Sequence, residues 1–591
     1  MKPKSLLTLL TMLCLTALPA LAQTAAEAEL AAGRRIYLEG VLPDGQALQG
    51  MRADIGALSG SAAACVTCHR RSGLGQVEGT SGIPPITGRA LFGGGEPVLV
   101  RMDRRFDKRV SMAHQPYTQA EFSAAVREGK HPSGRAMDSL MPHFALTEPQ
   151  LRAVAAYLQT LSPEMSPAVV GDTIHMATVI APGVEPARRQ AFIQTLTTAV
   201  QQMNLNVMSG RRQKMIAVEE RRLHSRRKWA LDLWELNGPS STWAEQLAQR
   251  QKQQPVFAIV SGLSNGEWQP VQDFCEANRV GCWFPSVDMV PADAAQSQFS
   301  LYFSAGVTTE AQVMASKLKA GSGRVVQLVA PDAVAHSAAA ALRQALAQGK
   351  RLALQDVEAA ADLATVQAAI AGLGAQDTLV LWLRPSDLSG LARLAKTRAQ
   401  VLVSATLAGN EQLDLPAALR QNATLVQPLE VPHMRQANVE RLQAWLAGSQ
   451  LPLVDLRLQS EVFFAAGALQ STLRGMLNNL HTDYLIERAE STLGGFETMQ
   501  VQEEIQAMMM APMNKRPLQT TQPTPAQVAA TEAAVKAQKD HLEEMRQRGG
   551  TTVYPRLSLA QGQRFASKGA YLERLDPDAP GTIGEPEWVV P

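Results

Sequence analysis

The stretch Cys65-Val66-Thr67-Cys68-His69 constrains this chain more than any other. Two thiols three residues apart, with an imidazole directly after the second, make the spacing that attaches a c-type haem. The thiols add to the two vinyl groups of the porphyrin, and the histidine becomes an axial ligand of the iron. A zinc half-site or a dithiol redox pair would use the same CxxC. A zinc site needs further Cys or His at matching spacing, and the remaining cysteines, Cys14, Cys275 and Cys282, supply no second CxxC. The motif predicts one covalent haem c, with Cys65 and Cys68 as attachment points and His69 on the iron.

Such attachment belongs outside the reducing cytoplasm, and the N-terminus is built for export. Lys2 and Lys4 form a basic start, Ser5 to Leu18 is mostly apolar, and Ala20-Leu21-Ala22 offers small residues to a signal peptidase. The expectation is a cleaved signal peptide over 1–22 and a periplasmic mature protein. Cys14 follows Leu13 rather than a small residue, which argues against lipid anchoring. No later segment is long and apolar enough to span a bilayer. Removing two lysines takes Lys+Arg from 56 to 54, equal to the 54 Asp+Glu. That balance argues against a nucleic-acid binder. At 591 residues and 46% hydrophobic content, two or three separate cores are expected.

From residue 23 to 162 the pattern is helices separated by Gly- and Pro-rich loops. Residues 25–37 carry apolar positions at helical spacing, ended by Gly40 and Pro43. Residues 117–128 form a second helix, with Thr118 as N-cap and Glu121 three residues on. Thr147 opens a third, with Leu151, Val154, Ala155 and Leu158 along one face. An electron-carrying iron needs a second strong axial ligand, and the loop before that third helix offers Met141, stiffened by Pro142. Met137 and His143 compete locally and His131 from further away. The basic run 101–110 reads as a solvated loop, or as a rim that attracts an acidic redox partner.

Residues 23–162 resemble a class I monohaem cytochrome c, an all-α fold. The likeness rests on GRRIYLEG, CVTCH, IPPITG, MPHF and LTEPQLRAVAAYLQTL. In that family a proline carbonyl after the haem motif accepts the Nδ1 hydrogen of the axial histidine. The resemblance gives that role to Pro84 or Pro85.

After a linker over 163–169 the pattern switches to strands alternating with helices, which implies a doubly wound α/β domain over 170–515, in two lobes. This region resembles the type I periplasmic solute-binding proteins, above all the branched-chain amino-acid receptors. PVFAIVSGLSNGEWQPVQDFCEANRVGCWFPSVD and FSLYFSAGVTTEAQVMASKL carry the likeness. It implies a small ligand of amino-acid type, its carboxylate met by the turn containing Ser261, Ser264, Asn265 and Gly266. Receptors often carry a Tyr-Asp pair on a late helix; here the helix reads EVFFAAGALQ, with Phe463 and Phe464. Retention of the fold as a docking module with an altered pocket is the competing reading.

Cys275 and Cys282 fall at a helix end and on the next strand of an exported protein, which predicts a structural disulfide. The methionines from Met508 to Met513 read as helical packing. Residues 516–591 read as a linker, a mixed-charge helix ending at Gly549-Gly550, and two strands around Gly562 that form a hairpin returning to the α/β domain, with an extended Pro- and Gly-rich end.

These features together predict an electron-transfer protein, not an enzyme. The chain shows no nucleophile–base arrangement and no GxGxxG in a βαβ setting. Its redox partner would be a dehydrogenase or another cytochrome. The alternatives are a ligand-binding or sensing protein with haem as redox reporter, and a periplasmic oxidoreductase subunit that uses haem as electron acceptor.

Overall fold

The computed structural model describes residues 25–78, 81–93, 115–161, 165–212, 227–318, 323–347, 353–359, 363–391, 397–409, 413, 415–476, 479–494, 552–555, 557–579 and 581–591. The signal peptide over 1–22, the basic run 101–110, the methionines 508–513 and the linker and helix of 516–549 lie outside the described residues. The chain divides into two compact units. One takes in the residues up to Ser166 together with Gly475–Glu487, the other Pro167–Arg474 with Arg488–Pro591.

In the first unit, a helix over 25–39 ends at Gly40, whose φ is +65°. A Cβ there would lie 1.9 Å from the Gly60 carbonyl oxygen, so the close approach requires glycine. The helix Gln119–Glu128 starts with a capping box in which Thr118 and Glu121 bond reciprocally to each other's backbone. The helix Glu148–Leu158 repeats the device with Thr147 and Gln150, and buries Leu151, Val154, Ala155 and Leu158. These side chains pack with Ile36, Tyr37, Phe122 and Phe144 into one core.

This unit is not all-α. Gln49–Arg52 pairs antiparallel with Gly56–Ser59, and its Gly50 and Met51 pair with Phe144 and His143. The reason lies in the loop that follows the first helix: it folds back as a hairpin, and Gly50 leaves room for the Phe144 ring, which would stand 2.8 Å from a Cβ. Val77–Glu78 and Ser81–Gly82 form a second small ladder.

The second unit contains two mostly parallel sheets. In the first, Lys228–Glu235, Thr173–Ile180, Ala258–Val260, Gly281–Trp283 and Ser300–Leu301 lie side by side and parallel. In the second, Leu354–Glu358, Val325–Val329, Thr378–Trp382, Gln400–Ser404 and Ala423–Gln427 repeat that order. Each order, 2-1-3-4-5, reverses direction once, and the crevice beyond the strand ends at such a switch point is where open α/β sheets bind ligands. Central strands are buried on both faces: Val325–Val329 and Thr378–Trp382 are buried throughout.

Two extended runs of the first sheet are each broken in two. The run 255–263 breaks at Ser261, with φ +56°, and 281–288 at Phe284, with φ +48°. Beyond the breaks, Leu263–Ser264 and Ser286–Val287 pair parallel with each other, and Leu263 pairs with Ile180 at the end of Thr173–Ile180. The hairpin returning to the α/β unit also lies later than expected. Gly562 sits in a turn, while Ala570–Leu575 and Thr582–Val589 add antiparallel strands to the second sheet, so the chain's end is a strand rather than an extended tail. Among the described residues no helix is long and apolar enough to cross a membrane.

Candidate functional site

Cys65 caps a single helical turn, Val66–His69, in which the His69 amide donates to the Cys65 carbonyl at 2.9 Å. The turn places both thiols and the imidazole within one short element. Burial pushes the Cys65 thiol up to about 12. His69 is buried, and burial brings its imidazole down to about 4, so the ring is neutral. Its Nδ1 lies 3.1 Å from the Pro84 carbonyl oxygen. A carbonyl can only accept, so Nδ1 carries the hydrogen and Nε2 keeps its lone pair for a metal. Pro85 is buried beside it. Two thiols and a neutral, oriented imidazole fit a covalently attached haem.

The four candidates for the second ligand differ in surroundings. Met137 and Met141 are half-buried against the core cluster that also receives Cys65 and Val66. His143 is exposed on its strand, with its ring against Gly129. His131 accepts the Ser133 amide at Nδ1, 3.1 Å away, and meets the Tyr117 ring edge-on.

One group in this unit carries no local sequence signal. Glu487 arrives from 415 positions away and receives Ser72 through both oxygens: the Ser72 amide donates at 2.8 Å and the hydroxyl at 2.5 Å. Burial raises the Glu487 carboxyl to about 7, against the lowering pull of Ser72 and Arg70.

In the α/β unit, Ser261 lies at the switch point of the first sheet. It is fully buried, its amide donates to the Trp283 carbonyl at 2.7 Å, and its hydroxyl has no hydrogen-bond partner. The Ser286 hydroxyl is likewise unpartnered, one strand over. The rest of the turn is occupied with itself. Ser264 Oγ donates to the Glu267 carbonyl and accepts from the Gly266 amide, while Asn265 bonds Arg188 and the Gly183 carbonyl. Phe464 packs on Phe284 and Phe303, Tyr554 stacks on Phe303, and Phe463 packs on Trp445. The acid nearest those phenylalanines, Glu461, is engaged by Arg457 at 2.8 Å and by the Tyr554 hydroxyl at 2.8 Å. At the switch point of the second sheet, Arg384 pairs with Asp332 at 3.0 Å.

Cys275 and Cys282 do not form a disulfide; both are free, buried thiols. They pack as small apolar groups among Trp234, Phe274 and Tyr302, which gives the pair a core role without a cross-link. Among the described residues, no three His, Cys, Asp or Glu converge into a metal-ion site.

The family model for cytochrome c matches residues 56–162. No curated protein matches the chain. Among solved structures, it is similar to a fatty acid ABC transporter substrate-binding protein from Thermomonospora curvata, at 14% identity and a TM-score of 0.41, over 72% of this chain and 94% of that one. It is also similar to a substrate-binding periplasmic protein from Ralstonia solanacearum, at 12% identity and a TM-score of 0.44, over 69% and 99%. A third is a branched-chain amino-acid transporter substrate-binding protein from Streptococcus pneumoniae in complex with isoleucine, at 11% identity and a TM-score of 0.43, over 71% and 100%. The haem-motif segment, residues 56–162, is a cytochrome c domain, and the chain joins it to a two-sheet α/β unit.

Proposed function

We propose that the protein is an exported one-electron carrier in which Cys65 and Cys68 hold a single haem c and His69 and Met141 are its axial ligands. The α/β unit then docks the cytochrome on its redox partner, a dehydrogenase or another cytochrome, or makes transfer respond to a small ligand. The observation that carries this reading is the neutral, buried His69 with Nδ1 committed to the Pro84 carbonyl. When bound, a haem c supplies an Fe(III)/Fe(II) couple that takes and gives one electron. The chain's residues do the rest. Pro84 fixes the tautomer and the plane of His69, which strengthens its donor nitrogen. Burial of His69, Leu74 and Ile83 keeps water from the ligand side of the loop. Met137 and Met141 both pack on the same core as Cys65 while His143 faces solvent, and Met141 is preferred of the two because Pro142 stiffens the loop directly after it. Periplasmic location follows from the haem motif and the export signal over 1–22.

A redox titration of the full-length protein tests this. The expected result is one haem per chain, a single reversible one-electron transition, and no carbon monoxide binding by the reduced protein. Carbon monoxide binding would instead mark an open iron site and a sensing or catalytic haem.

A second reading, ligand sensing by the α/β unit, draws support from the unpartnered hydroxyls of Ser261 and Ser286 at the switch point. Thermal stabilisation by added isoleucine or leucine would support it; no shift would leave the unit as a docking module.

A further inference from the structure

The loop behind the axial histidine is held from two directions. On one side, Gly75 donates to the His69 carbonyl at 3.2 Å, and Ile86 donates to the Gly73 carbonyl at 2.7 Å. Gly75 has φ +74°, and a Cβ there would lie 2.1 Å from the Ile83 carbonyl oxygen and 2.9 Å from that of Pro84. Residues 72–75 are therefore in register with the segment whose Pro84 carbonyl orients His69. On the other side, Glu487 grips the fully buried Ser72 by amide and hydroxyl, and the Ser72 oxygen in turn accepts the Leu74 amide at 3.1 Å. Tyr37 donates to the Arg70 carbonyl at 2.6 Å and anchors the start of the same loop. Glu487 lies outside the segment that matches the cytochrome c family, yet it belongs to the same compact unit.

We propose that Glu487 is a positioning residue of the haem centre, which holds the loop behind His69 through Ser72 and whose charge sets the potential of the iron. The inference rests on the electron-carrier reading. A bidentate acceptor fixes both the position and the rotation of Ser72, and the bonds from Leu74 to Ser72, from Gly75 to the His69 carbonyl and from Ile86 to the Gly73 carbonyl pass that constraint to His69 and to the segment that carries Pro84. Buried as it is, the carboxyl exchanges a proton near neutrality. The charged and titratable groups facing it are Arg70, which favours its anion, Asp483, which opposes it, and Tyr37. Reduction adds an electron to the iron and disfavours a nearby anion. The balance is one electron from the redox partner to the iron and one proton from solvent to the Glu487 carboxylate.

The test is the midpoint potential of the haem-loaded, full-length protein against pH, for the parent, Glu487→Gln and Glu487→Ala. In the parent the potential falls as pH rises through about 7; a tenfold rise in proton affinity on reduction makes the total fall about 59 mV. Glu487→Gln keeps the shape and loses the slope. Glu487→Ala also lets the loop move, read as faster displacement of the methionine ligand by added imidazole. A purely structural role would lower thermal stability and leave the pH profile intact. The inference is overturned if Glu487→Gln retains the parent's potential and slope; should Glu487→Ala not fold, Glu487→Gln alone decides. Absence of a reversible one-electron couple in the parent would instead overturn the carrier reading.

Discussion

His69 and Ser261 are both buried polar residues at the points where their units should do chemistry, yet they are served differently. His69 has one nitrogen committed to Pro84, and burial holds its ring neutral, so the imidazole is prepared for a metal. Ser261 has a hydroxyl without a partner, but the turn around it spends Ser264, Asn265 and Gly266 on internal bonds, and aromatic rings from Phe284, Phe303 and Phe464 pack together nearby in the fold. A buried unsatisfied hydroxyl costs about 1–3 kcal/mol, and non-glycine residues at positive φ cost about as much. Such strain persists where something else over-determines it. A covalent cofactor site is written in a few adjacent residues, whereas a ligand site depends on which polar groups the fold leaves unspent.

The contrast can be broken first at its strongest point. Cys68→Ala or His69→Ala should abolish stably attached haem c or its normal ligation, read by haem staining after denaturing electrophoresis and by the visible spectrum, while the α/β unit still folds. Loss of the α/β unit's thermal transition in these variants would show that the units are not energetically separate.

Next in size is Phe464→Ala. Removing a 2%-exposed ring from the cluster with Phe284 and Phe303 should cost about 3–5 kcal/mol, measured by denaturant unfolding. If the cost is below about 1 kcal/mol, the rings do not fill the site and room for a ligand exists.

Among the described residues, each unit also buries one carboxyl held up at about 7. Glu310 is bonded by the Ser404 hydroxyl and by the Thr406 amide and hydroxyl at 3.0 and 2.8 Å, yet burial still raises it from the ordinary 4.5. The folded state holds this proton more tightly than the unfolded chain does. Its stabilising contribution is therefore complete below about pH 4.5 and lost as pH rises through 7. Glu310→Gln should make stability less dependent on pH over that window, by on the order of 2–3 kcal/mol between pH 5 and pH 8. An unchanged pH profile of the unfolding free energy would contradict this.

The smallest effect belongs to Ser261→Ala. With no partner to lose, the substitution should be neutral or stabilising by up to about 1 kcal/mol in the absence of ligand. A loss of stability would instead mean the hydroxyl is satisfied by a bound water or ligand.

What could be read in the sequence was local. CVTCH, the capping box at Thr118, the helix start at Thr147 and the parallel strands were legible because each signal lies within a few residues of the structure it specifies. The small sheet in the first unit was not, since Gly50 pairs with Phe144 across a long sequence separation and neither strand has a run of alternating residues. The strand breaks at Ser261 and Phe284 were hidden because nothing in a serine or a phenylalanine asks for positive φ; neighbouring strands impose it. Cys275 and Cys282 met the compositional condition for a disulfide and pack instead as free thiols in a core. Glu487 had no signal at all, being an ordinary glutamate until the fold brings it to Ser72.

The central claim, that the haem motif and the Met141 loop together close one iron site, is tested most directly by the far-red methionine–iron charge-transfer band of the oxidised full-length protein. The band is expected in the parent, is lost in Met141→Ala, and is retained in Met137→Ala and His143→Ala. A band that survives Met141→Ala, or that is missing from the parent, would contradict it.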